Sequence, residues 1–151
     1  WFIVNSAPTL TPLIQAARSV NDQKPLSIIN KVLSLANNTK ANTIGCMGLA
    51  YKANIDDLRE SPAVEIVKAI SMKFDGDVLV CEPNVRDLPN PLKASNNIRL
   101  CSIIACLRES DIIVLLTDHR EFYELSSEIP DRKLIVDTRG LWQPPERKVS
   151  P

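Results

Sequence analysis

The sequence lacks an excess charge of either sign and a long apolar run, and these absences exclude several classes of binding partner. Lysine and arginine together number 18, as do aspartate and glutamate, so no global field attracts nucleic acid or an anionic membrane. No apolar run, such as Ile112–Leu116, exceeds five residues, which is too short to cross a bilayer. No basic stretch precedes an apolar one at the start, so no signal peptide is expected. We therefore expect neither a nucleic acid nor a membrane partner.

Metal-binding spacings are also missing. The four cysteines (Cys46, Cys81, Cys101 and Cys106) form no Cys-x-x-Cys pair, and His119 is the only histidine. We therefore expect no metal site and four free structural thiols, which favours a reducing, cytoplasmic setting. No cysteine forms a recognisable nucleophile pair with His119. This histidine is expected to cap a helix or to pack in the core.

Strand-like and helix-like segments alternate through most of the chain. With 151 residues, 44% of them apolar, the sequence has the size and composition of one globular domain. Ser61 and Pro62 suit the N-cap and first position of a helix. Predicted strands span 43–49, 77–81, 97–100, 111–117 and 133–137, and predicted helices span 62–74, 102–108 and 120–125. This alternation predicts an α/β fold, with a Rossmann-like doubly wound parallel sheet.

A helical arm precedes the predicted sheet, over about residues 8–37. Apolar residues recur at helical spacing from Leu10 to Val20 and again from Ile28 to Leu35. Pro25 lies between the two stretches and marks either a break between two helices or a kink in one long helix. The polar stretch 37–42 ends the arm.

The segment after the first predicted strand carries the densest cluster of candidate functional residues. Gly45 and Gly48 form a Gly-x-x-Gly turn, which either lets a ligand approach the backbone or simply requires small residues. Lys52 and Arg59 follow in a charged loop, and Arg139 follows another predicted strand. In such sheets ligands bind outside the carboxyl ends of the strands. The loop is therefore either a solvated set of ion pairs or, with Arg139, a site for a phosphate-bearing ligand.

Further short motifs occur along nearly the whole chain, from Trp1 to about Trp142. Gly48–Lys52 reads Gly-Leu-Ala-Tyr-Lys, and Asp56–Ala63 reads Asp-Asp-Leu-Arg-Glu-Ser-Pro-Ala. The remaining motifs are Val20–Pro25, Glu82–Asn84, Thr117–His119 and Asp137–Gly140. Together they resemble the nucleotide-sugar 6-dehydrogenases, the UDP-glucose/GDP-mannose dehydrogenase family. The sequence of residues 54–62, together with Trp1–Val4 at the start of the chain, is most similar to the UDP-N-acetyl-D-mannosamine dehydrogenase branch.

The resemblance implies a domain organisation. Residues 1–42 would be the end of a central interdomain helix, which also builds a homodimer or higher homo-oligomer, and a linker. Residues 43–142 would be the Rossmann-like domain that binds the UDP-sugar, while an N-terminal domain outside this sequence would bind NAD. The chain begins at Trp1 and not at methionine, so we expect a piece of a longer protein. The Pro-rich, charged tail 143–151 is expected to be disordered.

The resemblance also implies roles for individual residues. Tyr51 and Lys52 would contact the substrate, with Lys52 near the reacting sugar, and Arg139 would contact the UDP-sugar. Arg59 would reach the pyrophosphate of NAD.

The family oxidises the sugar C6 alcohol to a carboxylate in two steps through a cysteine-bound intermediate. Its Gly-Gly-x-Cys-x-Pro-x-Asp loop and three-glycine NAD fingerprint are absent here. We therefore expect no catalytic residue in this chain and no activity from it alone. A UDP-N-acetylglucosamine or UDP-glucose 6-dehydrogenase, a non-catalytic nucleotide-binding module and a plain oligomerisation domain are the alternatives.

Overall fold

Five parallel strands form one sheet in the computed structural model, which describes residues 2–130 and 132–142. The strands are β1 (Thr43–Met47), β2 (Asp77–Cys81), β3 (Ile98–Leu100), β4 (Ile112–Leu115) and β5 (Leu134–Asp137). Their order across the sheet is β3-β2-β1-β4-β5, and every neighbouring pair is parallel. The predicted α/β fold with a doubly wound parallel sheet is confirmed. The tail 143–151, for which disorder is predicted, lies outside the described residues.

Helices cover both faces of this sheet. They are α2 (Pro12–Thr39), α3 (Pro62–Ser71), α4 (Asn90–Lys93), α5 (Ile103–Glu109) and the 3-10 helix Arg120–Ser127. The helix α1 (Phe2–Ser6) and the 3-10 helix Pro8–Leu10 precede them and have no buried residues. One core joins α2 and α3 to strand residues such as Ile44 and Val114. A second core joins α5 and the later 3-10 helix to Met47 and Leu115. Successive side chains of a strand point to opposite faces, so a strand covered on both faces is apolar throughout.

The predicted elements are recovered with small differences in length. β1 and β4 each end two residues before the predicted boundary, because the chain leaves the sheet there. Gly48 turns with a φ of 87°, and its N–H donates to the Cys81 carbonyl at 2.8 Å. A Cβ on Gly48 would lie 2.6 Å from Thr117 Cβ, so the β1 and β4 exits pack too closely for a larger residue. Periodicity does not predict α4, because its four residues are too few to show a helical stripe.

Helix α2 runs through Pro25 without a break, so the structure has one long helix at this proline. The second half of α2 packs on the sheet through Ile29, Val32 and Ala36. The first half exposes apolar side chains, including Leu13, which is 81% exposed. Among the helices of residues 2–130 and 132–142, none has the length and apolar character needed to cross a membrane.

Helix α3 begins at the sheet edge where the candidate ligand-binding residues lie. Ser61 caps it, because the Ser61 Oγ accepts a hydrogen bond from the Ala63 N–H at 3.2 Å. Pro62 occupies the first helical position, where its missing N–H costs nothing. Both features agree with the prediction from the sequence, and they direct the N-terminus of α3 toward the exit of β1.

Gly45 lies inside β1 and not in the turn, so only Gly48 of the predicted Gly-x-x-Gly turn serves as a turn residue. A Cβ on Gly45 would lie 2.1 Å from Ser110 Oγ and 2.8 Å from Cys106 Sγ. The absence of a side chain at Gly45 therefore allows α5 and the residue after it to pack against the middle of the sheet.

We expect Gly45→Ala to lower the free energy of unfolding by about 1–3 kcal/mol, because the added methyl group forces α5 away from the strand. Denaturant unfolding followed by circular dichroism measures this change. A second substitution, Ser110→Gly, removes part of the clash and should recover part of the loss. Unchanged stability of the Gly45→Ala variant would contradict the close packing of α5 on β1.

Candidate functional site

Three strand exits, the start of α3 and the middle of α2 meet at the carboxyl edge of the sheet and enclose a cavity of about 230 Å³. The lining residues are Asn21, Lys24, Pro25, Ile28, Ala50, Tyr51, Ser61, Pro62, Ala63, Ile66, Leu116, Thr117, Thr138 and Arg139. β1 and β4 are neighbours at the point where the strand order reverses. Open parallel sheets bind ligands at this point, outside the carboxyl ends of the strands. We call this space the edge cavity.

Tyr51 and Lys52 lie on the turn that leaves β1. Tyr51 lines the edge cavity and is 52% exposed. Lys52 lies outside the lining, with its Nζ 5.9 Å from the centre of the Tyr51 ring, within the range of a cation–π contact. Across the described part of the chain, no carboxylate forms an ion pair with Lys52. The Lys52 ammonium is therefore available for an anionic ligand beside the cavity.

Arg139 reaches the edge cavity from the exit of β5. Its Nε donates to Asp118 Oδ1 at 2.8 Å, in a pair that is partly exposed on both sides. Asp137 holds the turn, because its carboxylate accepts from the backbone N–H groups of Arg139, Gly140 and Trp142 at 2.7–2.8 Å. Asp118 precedes the helix predicted at 120–125 and is a residue type that favours the N-cap, but no side chain caps the 3-10 helix found there. Asp118 instead orients the Arg139 guanidinium, whose remaining N–H groups can bind an anion.

Arg59 faces a different depression, an open cleft of about 800 Å³ formed by residues 56–62, 64–65 and 89–91. Its Nε and Nη2 donate to the two carboxylate oxygens of Asp57 at 2.9 and 2.8 Å. The side-chain hydrogen bonds from Arg59 lower the pKa of Asp57 to about 2. The edge cavity and this cleft share Ser61 and Pro62 at the start of α3. We call the second space the α3 cleft.

Glu82 and His119 form a buried pair behind the edge cavity, with no exposed side-chain surface. His119 Nε2 lies 2.9 Å from Glu82 Oε2, and the imidazole packs edge-on against Phe122 with 5.4 Å between ring centres. Burial alone would raise the pKa of Glu82. Hydrogen bonds from His119 and from the N–H groups of Asn84 and Leu49 outweigh that effect, so the pKa lies below its ordinary value. Of the two expectations for His119, capping and packing, the structure has packing.

The structure places two of the four predicted ligand-binding residues, Tyr51 and Arg139, in the same cavity. Lys52 lies beside that cavity, and Arg59 lies in the α3 cleft. The sequence did not single out Lys24 as a site residue, although it lines the edge cavity from α2. A signal for it was present, because the four α2 lining residues Asn21, Lys24, Pro25 and Ile28 have the i, i+3, i+4, i+7 spacing of one helical face.

Comparisons with known sequences match this region to one family. The profile of the UDP binding domain of the UDP-glucose/GDP-mannose dehydrogenase family matches residues 45–144. The chain is 44% identical over 142 residues to an NDP-N-acetyl-D-galactosaminuronic acid dehydrogenase of Ralstonia nicotianae, covering 94% of this chain and 33% of that protein. It is 40% identical over 151 residues to a UDP-N-acetyl-D-mannosamine dehydrogenase of Salmonella typhimurium, covering 95% of this chain and 36% of that protein. The chain thus spans about a third of the length of these curated relatives.

Solved structures share the fold. The UDP-N-acetyl-mannosamine dehydrogenase Cap5O from S. aureus matches with a TM-score of 0.76 and 25% identity, over 96% of this chain and 33% of that one. The UDP-D-ManNAc dehydrogenase from Pyrococcus horikoshii matches with a TM-score of 0.73 and 26% identity, over 94% of this chain and 33% of that one.

Proposed function

The chain belongs to the UDP-glucose/GDP-mannose dehydrogenase family and contains its UDP-binding domain, and from this premise we propose that it is the substrate-binding part of an NAD-dependent UDP-N-acetyl-D-mannosamine 6-dehydrogenase. The observation that carries the proposal is the edge cavity, because Tyr51 and Arg139 meet there within the matched residues. Lys24 adds a second cation from α2. Two cations and an aromatic ring suit a nucleoside diphosphate, whose phosphates bind guanidinium and ammonium groups.

The sugar is proposed from the relatives. A UDP-N-acetyl-D-mannosamine dehydrogenase is among those that match along nearly the whole chain. The Ralstonia relative favours a second candidate, a nucleotide sugar of the N-acetyl-D-galactosamine series, since it shares 44% of its aligned residues with this chain. Both candidates carry an N-acetylated sugar, so we propose that the substrate is a UDP-linked acetamido sugar.

Rates of NADH formation by the full-length protein test the choice of sugar. UDP-N-acetylmannosamine, UDP-N-acetylgalactosamine, UDP-N-acetylglucosamine and UDP-glucose are compared at equal concentrations through kcat/KM. We expect the highest kcat/KM with UDP-N-acetylmannosamine. A higher value with UDP-N-acetylgalactosamine would transfer the assignment to the second candidate, and the highest value with UDP-glucose would contradict an acetamido sugar. If the protein oxidises none of these UDP-sugars, the result would favour the alternative that it is a non-catalytic nucleotide-binding module.

Oxidation of the C6 alcohol to a carboxylate would require two molecules of NAD for each sugar. The chemistry that bound NAD supplies is hydride acceptance. Lys52 would lie near the reacting sugar and hold negative charge there. No cysteine of this chain lies in the family's nucleophile loop, so the proposed covalent step would use a cysteine from another part of the full-length protein.

The α3 cleft fits a dinucleotide. It combines the exposed guanidinium of Arg59 with the N-terminus of the ten-residue helix α3, and both favour phosphate. Four carboxylates also line it, those of Asp56, Asp57, Glu60 and Glu65, and carboxylates bind ribose hydroxyls in dinucleotide sites. Asp57 occupies only two of the five guanidinium N–H groups of Arg59. Arg59 would therefore hold the pyrophosphate of NAD.

Arg59→Ala is expected to raise the KM for NAD by about 10- to 150-fold, the equivalent of one charged hydrogen bond, with a smaller effect on the KM for the UDP-sugar. Steady-state kinetics with each substrate varied in turn measure both values. The matched control is Arg99→Ala, which also removes an exposed arginine that forms a salt bridge, in this case with Glu109. Arg99 lies in the edge strand β3, which β2 separates from β1. A larger change in the KM for the UDP-sugar than for NAD would contradict the role of Arg59.

The first half of α2 is proposed to build a homodimer or higher homo-oligomer. Leu13, Ile14 and Val20 are exposed along this part of the helix, as are Phe2 and Leu10 before it. Within residues 2–130 and 132–142, no other segment covers this apolar surface. Packing against a second copy of the chain would remove it from water.

A further inference from the structure

We propose that Glu82 and His119 are positioning residues that fix the loop 49–54 and thereby place Tyr51 and Lys52 at the edge cavity. The ligand-binding roles of Tyr51 and Lys52 rest on the proposed function. The fixing of the loop itself rests on hydrogen bonds within this chain.

Glu82 fixes the start of the loop. Its Oε2 accepts from the backbone N–H groups of Leu49 and Ala50 at 2.6 and 3.0 Å, immediately before Tyr51. Its Oε1 accepts from the N–H and side-chain amide of Asn84 at 3.0 and 3.3 Å. With His119 these contacts satisfy both oxygens of a carboxylate that has no exposed surface. The buried charge is thereby compensated, and the backbone before Tyr51 takes one position.

His119 fixes the end of the loop. Its Nδ1 accepts from the backbone N–H of Asn54 at 3.0 Å and from the Asn84 side-chain amide at 3.1 Å. A ring nitrogen that accepts must be unprotonated, so the proton is on Nε2, which donates to Glu82. Asn54 has a positive φ of 61°, and its Oδ1 accepts from the Arg120 N–H at 2.9 Å. The same histidine therefore joins the end of the loop to the group that holds its start.

Only Tyr51, Lys52 and Ala53 lie between the two attachment points. Thr117 adds a third contact, because its Oγ1 donates to the Ala50 carbonyl at 2.9 Å. Such a short span cannot shift while both ends are held, and an active site loses about 10²-fold in rate when a reacting group is displaced by 1 Å. The buried pair thus controls the two exposed side chains without touching the ligand that they would bind.

Two substitutions of His119 separate its two contacts. A glutamine places its amide near the Nε2 position, so His119→Gln keeps the donor to Glu82 and loses the acceptor for Asn54. An asparagine places its amide near Nδ1, so His119→Asn keeps the acceptor and loses the donor. We expect amide hydrogen exchange of residues 49–54 to accelerate in both variants, and exchange in β4 and β5 to stay unchanged. Equal protection of the loop in His119→Gln, His119→Asn and the unmodified chain would overturn the proposal, whatever the protein's activity.

A double-mutant cycle in the full-length protein links the loop to turnover. We expect His119→Gln to lower kcat about 10²-fold in the unmodified background and less than about 3-fold when Lys52→Ala is already present, because the two substitutions remove the same effect. Leu125→Val is the control, since it removes a methylene from the 3-10 helix that follows His119 without touching the loop, and it should leave kcat unchanged. An equal loss in both backgrounds would show that His119 does not act through Lys52, and would overturn the link between the loop and turnover. If the unmodified protein oxidises no UDP-sugar, the proposed function fails, and the exchange experiment still decides whether Glu82 and His119 hold the loop.

Discussion

Replacing Lys52 with alanine in the full-length protein is expected to lower kcat by about 10²–10³-fold, the effect of removing one preorganised group that stabilises developing charge. Lys52 is suited to this role because its ammonium is exposed and has no ion-pair partner among the described residues. The Tyr51 ring and the buried pair behind the loop limit where the ammonium can lie. Turnover at saturating UDP-sugar and NAD measures the loss.

The matched control is Lys73→Ala. Lys73 is also an exposed lysine, but it follows the C-terminal end of α3, away from the helix start that borders the edge cavity. We expect its loss to leave kcat within about 2-fold, because exposed charges beyond a Debye length are screened. Equal kcat for Lys52→Ala and the unmodified protein would remove Lys52 from the site.

Arg139→Ala is expected to raise the KM for the UDP-sugar by about 10- to 150-fold, with a smaller change in kcat, because a charged hydrogen bond to the nucleotide is lost. The reason lies in the position of Arg139, which lines the edge cavity and is oriented there by Asp118. Asp118→Asn weakens this orientation while keeping the guanidinium, so it should raise the KM by a smaller factor.

The control for Arg139 is Arg108→Ala, an exposed arginine in the last turn of α5, outside the edge cavity. Its KM for the UDP-sugar should equal that of the unmodified protein. An unchanged KM in the Arg139→Ala variant, or an effect on NAD alone, would contradict the assignment of Arg139 to the sugar nucleotide.

The fold could be predicted from the sequence because the dominant signals are local. The apolar run Ile112–Leu116 indicates a strand covered on both faces, and Ser61 with Pro62 marks the start of α3 within a few residues. The ends of β1 and β4 were less predictable, since they depend on how Gly48 and Thr117 pack against each other. That contact joins residues far apart in the chain, so no local sequence pattern predicts it.

The candidate site could be predicted only in part. The sequence predicted Lys52, Arg59 and Arg139 near one edge of the sheet, because the carboxyl ends of parallel strands share an edge, and only the family resemblance implied Tyr51. It could not show that Arg59 faces a separate cleft, since that depends on the direction of the loop before α3. The pairing of Glu82 with His119 was equally hidden, because the hydrogen bond joins the exits of two strands that are not neighbours in the sheet.

Calorimetric titration of the purified chain with UDP tests whether the edge cavity binds a nucleotide. We expect saturable binding at one site, and loss of that binding in the Arg139→Ala variant, because the edge cavity is formed by residues of this chain. Circular dichroism and a cooperative denaturant transition establish that both proteins are folded. A folded chain that binds no UDP, or that binds UDP equally well without the Arg139 side chain, would contradict a nucleotide site at this edge of the sheet.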